Sequence, residues 1–552
     1  MVGVTEGDGM KKFLAPIIRG VSIIILLNSS LNAAATRSIL SDGQRAQRRT
    51  DAQCIRITAA NDQHTPNIAA QPNNGDETLY ADRRGNHAKG LLHNNDGHVN
   101  TAAYNTLLTA LASTNPSDFN NITMGGTRKL TDPQAGYSFS LEGDDAAINV
   151  VPPAPAFASA EAAGEMVENY WHALLRDIPF NKYDSDPLAA DAMADLNGLS
   201  DFRGPKVGGE VRPRTLFRLD IPGACKGPHI SQFLYLPIPN LGHTSLQESR
   251  YPLPGVQNDF LTDTTEWLTV HNGGVLNRSI QFSATPSFIK TGRDLGDWVH
   301  LDYPGQGFFQ AALILLGFGP AALDDNHPYK NNATQADFVS YGIVDLLNLV
   351  CGVTQSVMKA VWYQKWMVHR RLRPEEFAFL VNKQISDPTN FGIHADLLNS
   401  QALVKTFEKY GNYLLSQQYP EGCPTHPSYP CGHGSISAAC ATLLKAWFKE
   451  DFVIPNPVKP NANNTALVDC LLPLTVGGEL NKLCSNIAKG RDMAGVHYRS
   501  DCNAALELGE AIAIAILEDE AYTKNINFSG FSLTKFDGTV ITVGAKKAIP
   551  SC

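Results

Sequence analysis

The chain has 552 residues, 43% of them apolar and 18% charged, so it can bury a large core and, by length alone, form more than one domain. A formal charge of −9 gives no basic footprint and argues against nucleic acid as a partner. No repeat is visible at solenoid periods.

Residues 1–35 read as a signal peptide. Lys11 and Lys12 precede the greasy stretch Val21 to Leu27, which leads to the small-residue run Ala33, Ala34 and Ala35. Met10 offers a second start, and Arg19 interrupts the greasy region. The stretch is too short to cross a hydrocarbon core, which needs roughly 20 apolar residues. No other long apolar run stands out, so a secreted chain, extracellular or in the cell wall and without a membrane span once processed, is expected. Ten cysteines, an even number, permit disulfides on that route, although connectivity cannot be read from sequence. None forms a CxxC pair. Sequons at Asn121, Asn277, Asn332, Asn463 and Asn527 fit the same route, though such triplets also arise by chance in an Asn-rich chain.

Residues 36–96 are polar and predict an extended arm outside the core. From 97 to 552 helical patterns dominate. Val167, Tyr170, Trp171 and Leu174 follow helical spacing; Phe217 to Ala284 predicts loops and short strands; helical periodicity returns from Phe309 to Leu316. The clearest helix is predicted over Ile343 to Arg373, with an apolar stripe through Leu346, Leu347, Val350, Val353 and Val357 and a stop at Pro374. Further helices are expected after Gly434 and after Asp501. Leu533 to Val543 predicts a hairpin turning at Asp537 and Gly538. Long amphipathic helices with short connections make the fold mainly α, with packed bundles and few short strands.

Within about 340–520, three clusters concentrate cations, imidazoles and glycine. The first holds Lys365, His369 and Arg373, spaced by four and so near one face of a single helix. The second, Pro424, His426, Pro430, Cys431, Gly432 and His433, lies just before a helix. The third, Arg491 to His497 and Asp501, lies before another. Guanidinium forks, an ammonium, helix N-termini and a glycine allowing close backbone approach together suit a tetrahedral oxyanion. Two histidines add a ligand or nucleophile and an acid–base. Each cluster alone also has a bland reading: a solvated Lys/Arg face, a Pro-rich turn, surface residues.

In combination, the order K-x7-R-P, P-x-G-H, R-x5-H resembles the vanadium haloperoxidase and type 2 phosphatidic acid phosphatase superfamily. The stretches Gln364–Glu375, Pro424–Pro430 and Met493–Tyr498 are similar to its algal and cyanobacterial bromoperoxidase branch, as are Gly90–Val99 and Tyr170–Phe180. The resemblance implies two helical bundles in one chain, a vanadate cofactor, hydrogen peroxide, halide and a small organic molecule as substrates, and a homo-oligomer. It leaves calcium open; no EF-hand-like loop is present. Carried over by position, His497 is the vanadium ligand. Lys365, Arg373 and Arg491 compensate vanadate charge, and Lys365 also polarises bound peroxide. The Gly432 amide donates to an oxygen, and His433 is the acid–base. His426 stands where this branch has histidine and fungal chloroperoxidases an aromatic, which favours bromide, with iodide also expected.

Cys431 departs from the pattern, standing where the family has serine. A thiol is larger and donates weakly, so vanadate binding is expected to weaken by about 1–3 kcal/mol; peroxide could oxidise it, or it could pair with a neighbouring cysteine. Two alternatives follow: an acid phosphatase using the same pocket with His497 as nucleophile, or a family member impaired by Cys431.

Overall fold

The structure, a computed structural model, describes residues 39–551 apart from 67, 68, 241 and 388, so the predicted signal peptide lies outside the described residues. The chain divides into a small unit, Met1–Thr58 with Ile549–Cys552, and a large one, Ala59–Ala548. The predicted arm is not all loop: it contains helix α1 (Asp42–His64), whose buried residue is Cys54. Its Ala, Arg and Gln content favours helix without marking a core-facing stripe, so periodicity could not find it. Cys54 is disulfide-bonded, whereas Cys225, Cys351, Cys423, Cys431, Cys440, Cys470, Cys484 and Cys502 are free thiols. The far end of the arm is buried in the large unit, contrary to expectation. There the backbone N–H groups of Ala88 and Lys89 donate to one carboxylate oxygen of Glu376, at 2.8 and 3.1 Å.

Within the large unit, α2 (Ala160–Leu175) is capped by the Ser159 side chain and buries almost every face. The other helices that place the site are α3 (Gly292–Leu301), α4 (Gln306–Gly317), α5 (Ile343–Trp362), α6 (Pro374–Ser386), α7 (Gly432–Trp447), α8 (Val476–Met493) and α9 (Arg499–Glu520). Two cores hold them. One gathers Tyr170 and Trp171 of α2 with Phe217 and with Phe377 and Leu380 of α6. The larger gathers Leu346, Val353 and Val357 of α5, Leu443 of α7, Leu480 of α8 and Ile512 of α9. The mainly helical architecture is therefore as expected from the apolar periodicities.

Ile343–His369 is, by length and composition, long and apolar enough to cross a membrane, a run the sequence reading passed over. Its apolar stripe packs into the larger core through Leu346, Leu349, Val350, Val353 and Val357, as the core helix of a bundle does. Strands are few. Among the described residues they form antiparallel pairs: β1 (Ile238–Asn240) with β2 (His243–Ser245), β3 (Val458–Pro460) with β4 (Leu467–Asp469), and β5 (Phe531–Thr534) with β6 (Val540–Val543). The last is the expected hairpin. Leu533 faces Ile541, and Gly538 at φ 86° takes the left-handed turn position.

Candidate active site

Lys365 and Arg373 do not share a helix, which corrects the predicted Ile343–Arg373 element. After Trp362 the chain widens into a π-helical segment, Tyr363–His369, in which Arg370 N donates to Lys365 O at 3.0 Å, five residues back. Arg370 then turns left-handed at φ 41° and ends the helix. Arg373 is the N-cap of α6, and Pro374, expected to stop a helix, starts one at its first position. The break aims Lys365 and Arg373 at the same segment from two directions. His369 is turned elsewhere: its Nε2 lies 3.1 Å from Gln364 Oε1 and its ring stands edge-on to Tyr429. The cationic run is not a solvated face, since Lys365, Arg371 and Arg373 are buried.

The other two clusters meet these residues where α7 and α9 begin and α8 ends. Cys431 caps α7, its Sγ accepting from Gly434 N at 3.4 Å, and Cys431 N donates to Asp501 O at 2.9 Å. The two helices cross very closely: a Cβ on Gly509 would lie 2.2 Å from Ser435 O. Gly432 and His433 fall in the first turn of α7, Arg491 near the end of α8, and His497 just before α9.

The geometry joins the predicted residues into one constellation. Arg373 Nη1 lies 3.1 Å from His497 Nε2 and donates to Val496 O at 2.6 Å. Its Nη2 lies 3.0 Å from His426 Nδ1, and its Nε donates to His426 O at 2.9 Å. Lys365 Nζ donates to Pro427 O and Ser428 O at 2.8 and 2.6 Å. His497 Nδ1 lies 2.8 Å from Asp501 Oδ2. Asp501 also accepts from Arg371 Nη1 at 2.8 Å, from Tyr498 N at 3.1 Å and from the Ser428 hydroxyl. With Nδ1–H spent on this carboxylate, His497 keeps a lone pair at Nε2, the form a metal ligand needs. His433, whose side chain is 33% exposed, pairs through Nε2 with Asp302 Oδ1 at 3.1 Å.

Burial lowers the proton affinity of Lys365, with the Arg373 charge adding to the effect, and burial lowers that of Arg373 itself. It also lowers His426, reinforced by Arg373, and His497, against the opposing pull of Cys431 and Asp501. Burial would raise the Asp501 carboxyl, but Arg371 and His497 overcome it and hold the group well below the usual carboxylate range. In the coupled thiol pair, burial pushes Cys431 up while Cys502 and His497 pull it below its ordinary value; burial raises Cys502.

Among the described residues, Lys365, Arg373 and Arg491 have no carboxylate partner, although Arg370, Arg371 and Arg499 nearby each have one. Buried cations are costly unless paired. Arg491 Nε is moreover buried without any partner, while its Nη1 donates to Val299 O at 2.9 Å. A cavity of about 110 Å³ opens beside Arg491, lined by Arg491, His497, Gly432, His433 and His426, with Phe308, Met358 and Trp362 as an apolar wall. A Cβ on Gly432 would sit in ordinary contact with that wall, 3.4 Å from Met358 and 3.9 Å from Trp362. Unpaired cations, an unpartnered guanidinium nitrogen, a ligand imidazole and a helix N-terminus fit a small tetrahedral oxyanion.

Three contributors were given no role from the sequence, although Asp501 stands in the third cluster. Asp501 carried a signal, standing four residues after His497 at helical spacing. Asp302 carried none, because it reaches His433 from the end of α3, far away in sequence. Glu376, whose carboxylate accepts from Arg373 N, His87 and the Ala88 and Lys89 amides, was hidden inside what read as an ordinary helix start.

The fold and site define a helical-bundle enzyme built around an oxyanion cradle. Residues 349–524 match the family model for the VCPO second helical-bundle domain. The chain is 35% identical over 474 residues to the vanadium-dependent bromoperoxidase of Corallina pilulifera, covering 74% of this chain and 78% of that one. It is 33% identical over 503 residues to that of Ascophyllum nodosum, covering 85% and 88%. The homohexameric structure of the second vanadate-dependent bromoperoxidase (AnII) from Ascophyllum nodosum superposes with a TM-score of 0.86 at 28% identity, covering 92% of both chains. The chain belongs to the vanadium-dependent haloperoxidase family, in its bromoperoxidase branch. The phosphatase and impaired-member alternatives are not favoured, because the likeness to peroxidases runs through most of the chain.

Proposed function

We propose that this enzyme oxidises halide, bromide foremost and iodide with it, by hydrogen peroxide to a hypohalous-acid equivalent that halogenates organic compounds. Vanadate, held in the cradle, supplies Lewis-acid activation of peroxide at constant oxidation state. His497 Nε2 is its ligand, oriented by Asp501. Lys365, Arg373 and Arg491 balance its charge, and the Gly432 amide donates at the start of α7. Cys431 caps that turn. Lys365 would also draw charge from peroxide held in the cradle. His433, the half-exposed imidazole held by Asp302, takes and returns the peroxide proton. His426, tilted 40° against Trp362, forms the cavity wall beside Arg373 and sets the preference for bromide.

The observation that carries this reading is the set of three buried cations without a carboxylate partner among the described residues, Arg373 lying against the His497 imidazole, Arg491 lining the same cavity and Lys365 held on the Pro427–Ser428 segment. The test is a halogenation assay with bromide, chloride and iodide, run with and without vanadate, beside a phosphate-ester hydrolysis assay. Bromide and iodide turnover that needs both vanadate and peroxide is expected. Ester hydrolysis without bromination would overturn the reading.

Assembly as a homo-oligomer is part of the proposal, supported by the exposed apolar side chains Phe139 and Leu141 and by the hexameric neighbour. So is secretion into the extracellular space or cell wall, supported by exposure of Asn121, Asn277, Asn332, Asn463 and Asn527, the sequon asparagines among the described residues. Among the described residues no group of three or more His, Cys, Asp or Glu side chains is arranged for a metal ion.

A further inference from the structure

Cys431 and Cys502 are free, fully buried thiols. One caps α7 and the other sits in the first turn of α9, with their side chains close to each other. The backbone holds them together, because Cys431 N donates to Asp501 O, one residue before Cys502. Cys502 Sγ donates to Asp492 Oδ1 at 3.5 Å, so an acceptor for its proton is in place. Cys431 also touches the His497 imidazole and precedes Gly432, both of which line the cavity. Cys431 itself does not line the cavity, so an oxidant in an empty cradle reaches its sulfur only past these two residues, and an anion seated on His497 stands in the way.

We infer that Cys431 and Cys502 are an oxidisable dithiol in the floor of the site, closed to a disulfide by hydrogen peroxide when the cradle holds no anion. The Cys431 sulfur attacks one peroxide oxygen, the O–O bond breaks, and a sulfenic acid and water form. The Cys502 sulfur then attacks that sulfur, its proton passing to Asp492 and on to the departing hydroxide, which leaves as water. Two thiols and one peroxide give one disulfide and two waters. Closing the bond draws the Cys431 sulfur away from Gly434 N and His497, unseating the α7 cap beside Gly432. The chemistry makes vanadate loading peroxide-sensitive and thiol-reversible. It rests on the cavity being the enzyme's peroxide site.

The test uses full-length, anion-free enzyme treated with hydrogen peroxide, alkylated and peptide-mapped by mass spectrometry, with inorganic phosphate as the occupying probe. A Cys431–Cys502 cross-linked peptide, reversed by dithiothreitol, is expected. Phosphate at about ten times its Kd should suppress it about tenfold. The C502A variant should instead carry Cys431 to the sulfinic state. Full alkylation of both thiols after peroxide, or cross-linking indifferent to phosphate, overturns the inference. Bromination without cross-linking contradicts this inference alone; cross-linking without bromination contradicts the proposed function alone.

Discussion

At His497 one ring meets two demands, a fixed orientation and a free lone pair, and Asp501 satisfies the first so that the second is left open. Asp501→Asn keeps the shape but offers an amide that no longer compels Nδ1–H donation. Vanadate affinity should fall about 10–100-fold, read by vanadate titration with the melting temperature as a fold control; an unchanged affinity would remove Asp501 from the account. Burial depresses His497, so its neutral, ligating form persists below the ordinary imidazole value of 6.5. Vanadate affinity corrected for solution vanadate speciation should therefore hold as pH falls to that value and weaken only below it. A loss centred above it contradicts the burial argument. Cys431→Ser restores a stronger donor and acceptor at the α7 cap. It should tighten vanadate by about 1–3 kcal/mol, measured in the same titration.

Between elements, backbone approach decides how accurately the cradle is held. Gly509 lets α9 rest on α7, and a methyl there would meet Ser435 O at 2.2 Å and Ala438 Cβ at 2.8 Å. Backbone cannot yield as a side chain can, so Gly509→Ala should destabilise by about 1–3 kcal/mol or more and lower vanadate affinity with it, checked by denaturant melts. The start of α6 is pinned by charge. Burial would raise Glu375, but Lys89 and His271 hold it at about 2 against an ordinary 4.5. A depressed carboxylate stabilises above its unfolded value, and that contribution is lost as pH falls from about 4.5 toward 2. Glu375→Gln should flatten this part of the acid-unfolding curve; an unaltered curve would show that the pair adds nothing. The sequence revealed the helices that flank the site because their apolar stripes are regular. It did not reveal the break between Lys365 and Arg373, because a π-turn followed by a left-handed Arg370 leaves no mark on periodicity. Nor did it reveal that residues 86–89 are buried, since much of what holds them is the Glu375 and Glu376 carboxylates, which leave no apolar periodicity.

For the whole molecule, the two cores bring residues from 302 to 497 around one cavity. Of the predicted site residues, His426, Gly432, His433, Arg491 and His497 line it, and Arg373 stands behind them against His426 and His497, because each motif sits at a helix end, where orphan amides and turns already point inward. What was illegible is what arrives from outside those motifs, Asp302 above all. Assembly belongs to this scale too: light scattering on the purified protein should give a multiple of the chain mass, and a strict monomer would contradict the proposed interface. The central claim is that unpaired buried cations and His497 make a vanadate cradle. Equilibrium dialysis with vanadium counted per chain tests it most directly. About one vanadium retained per chain, displaced by excess phosphate and absent in a folded His497→Ala variant, is the predicted result; no retention, or equal retention in that variant, would contradict it.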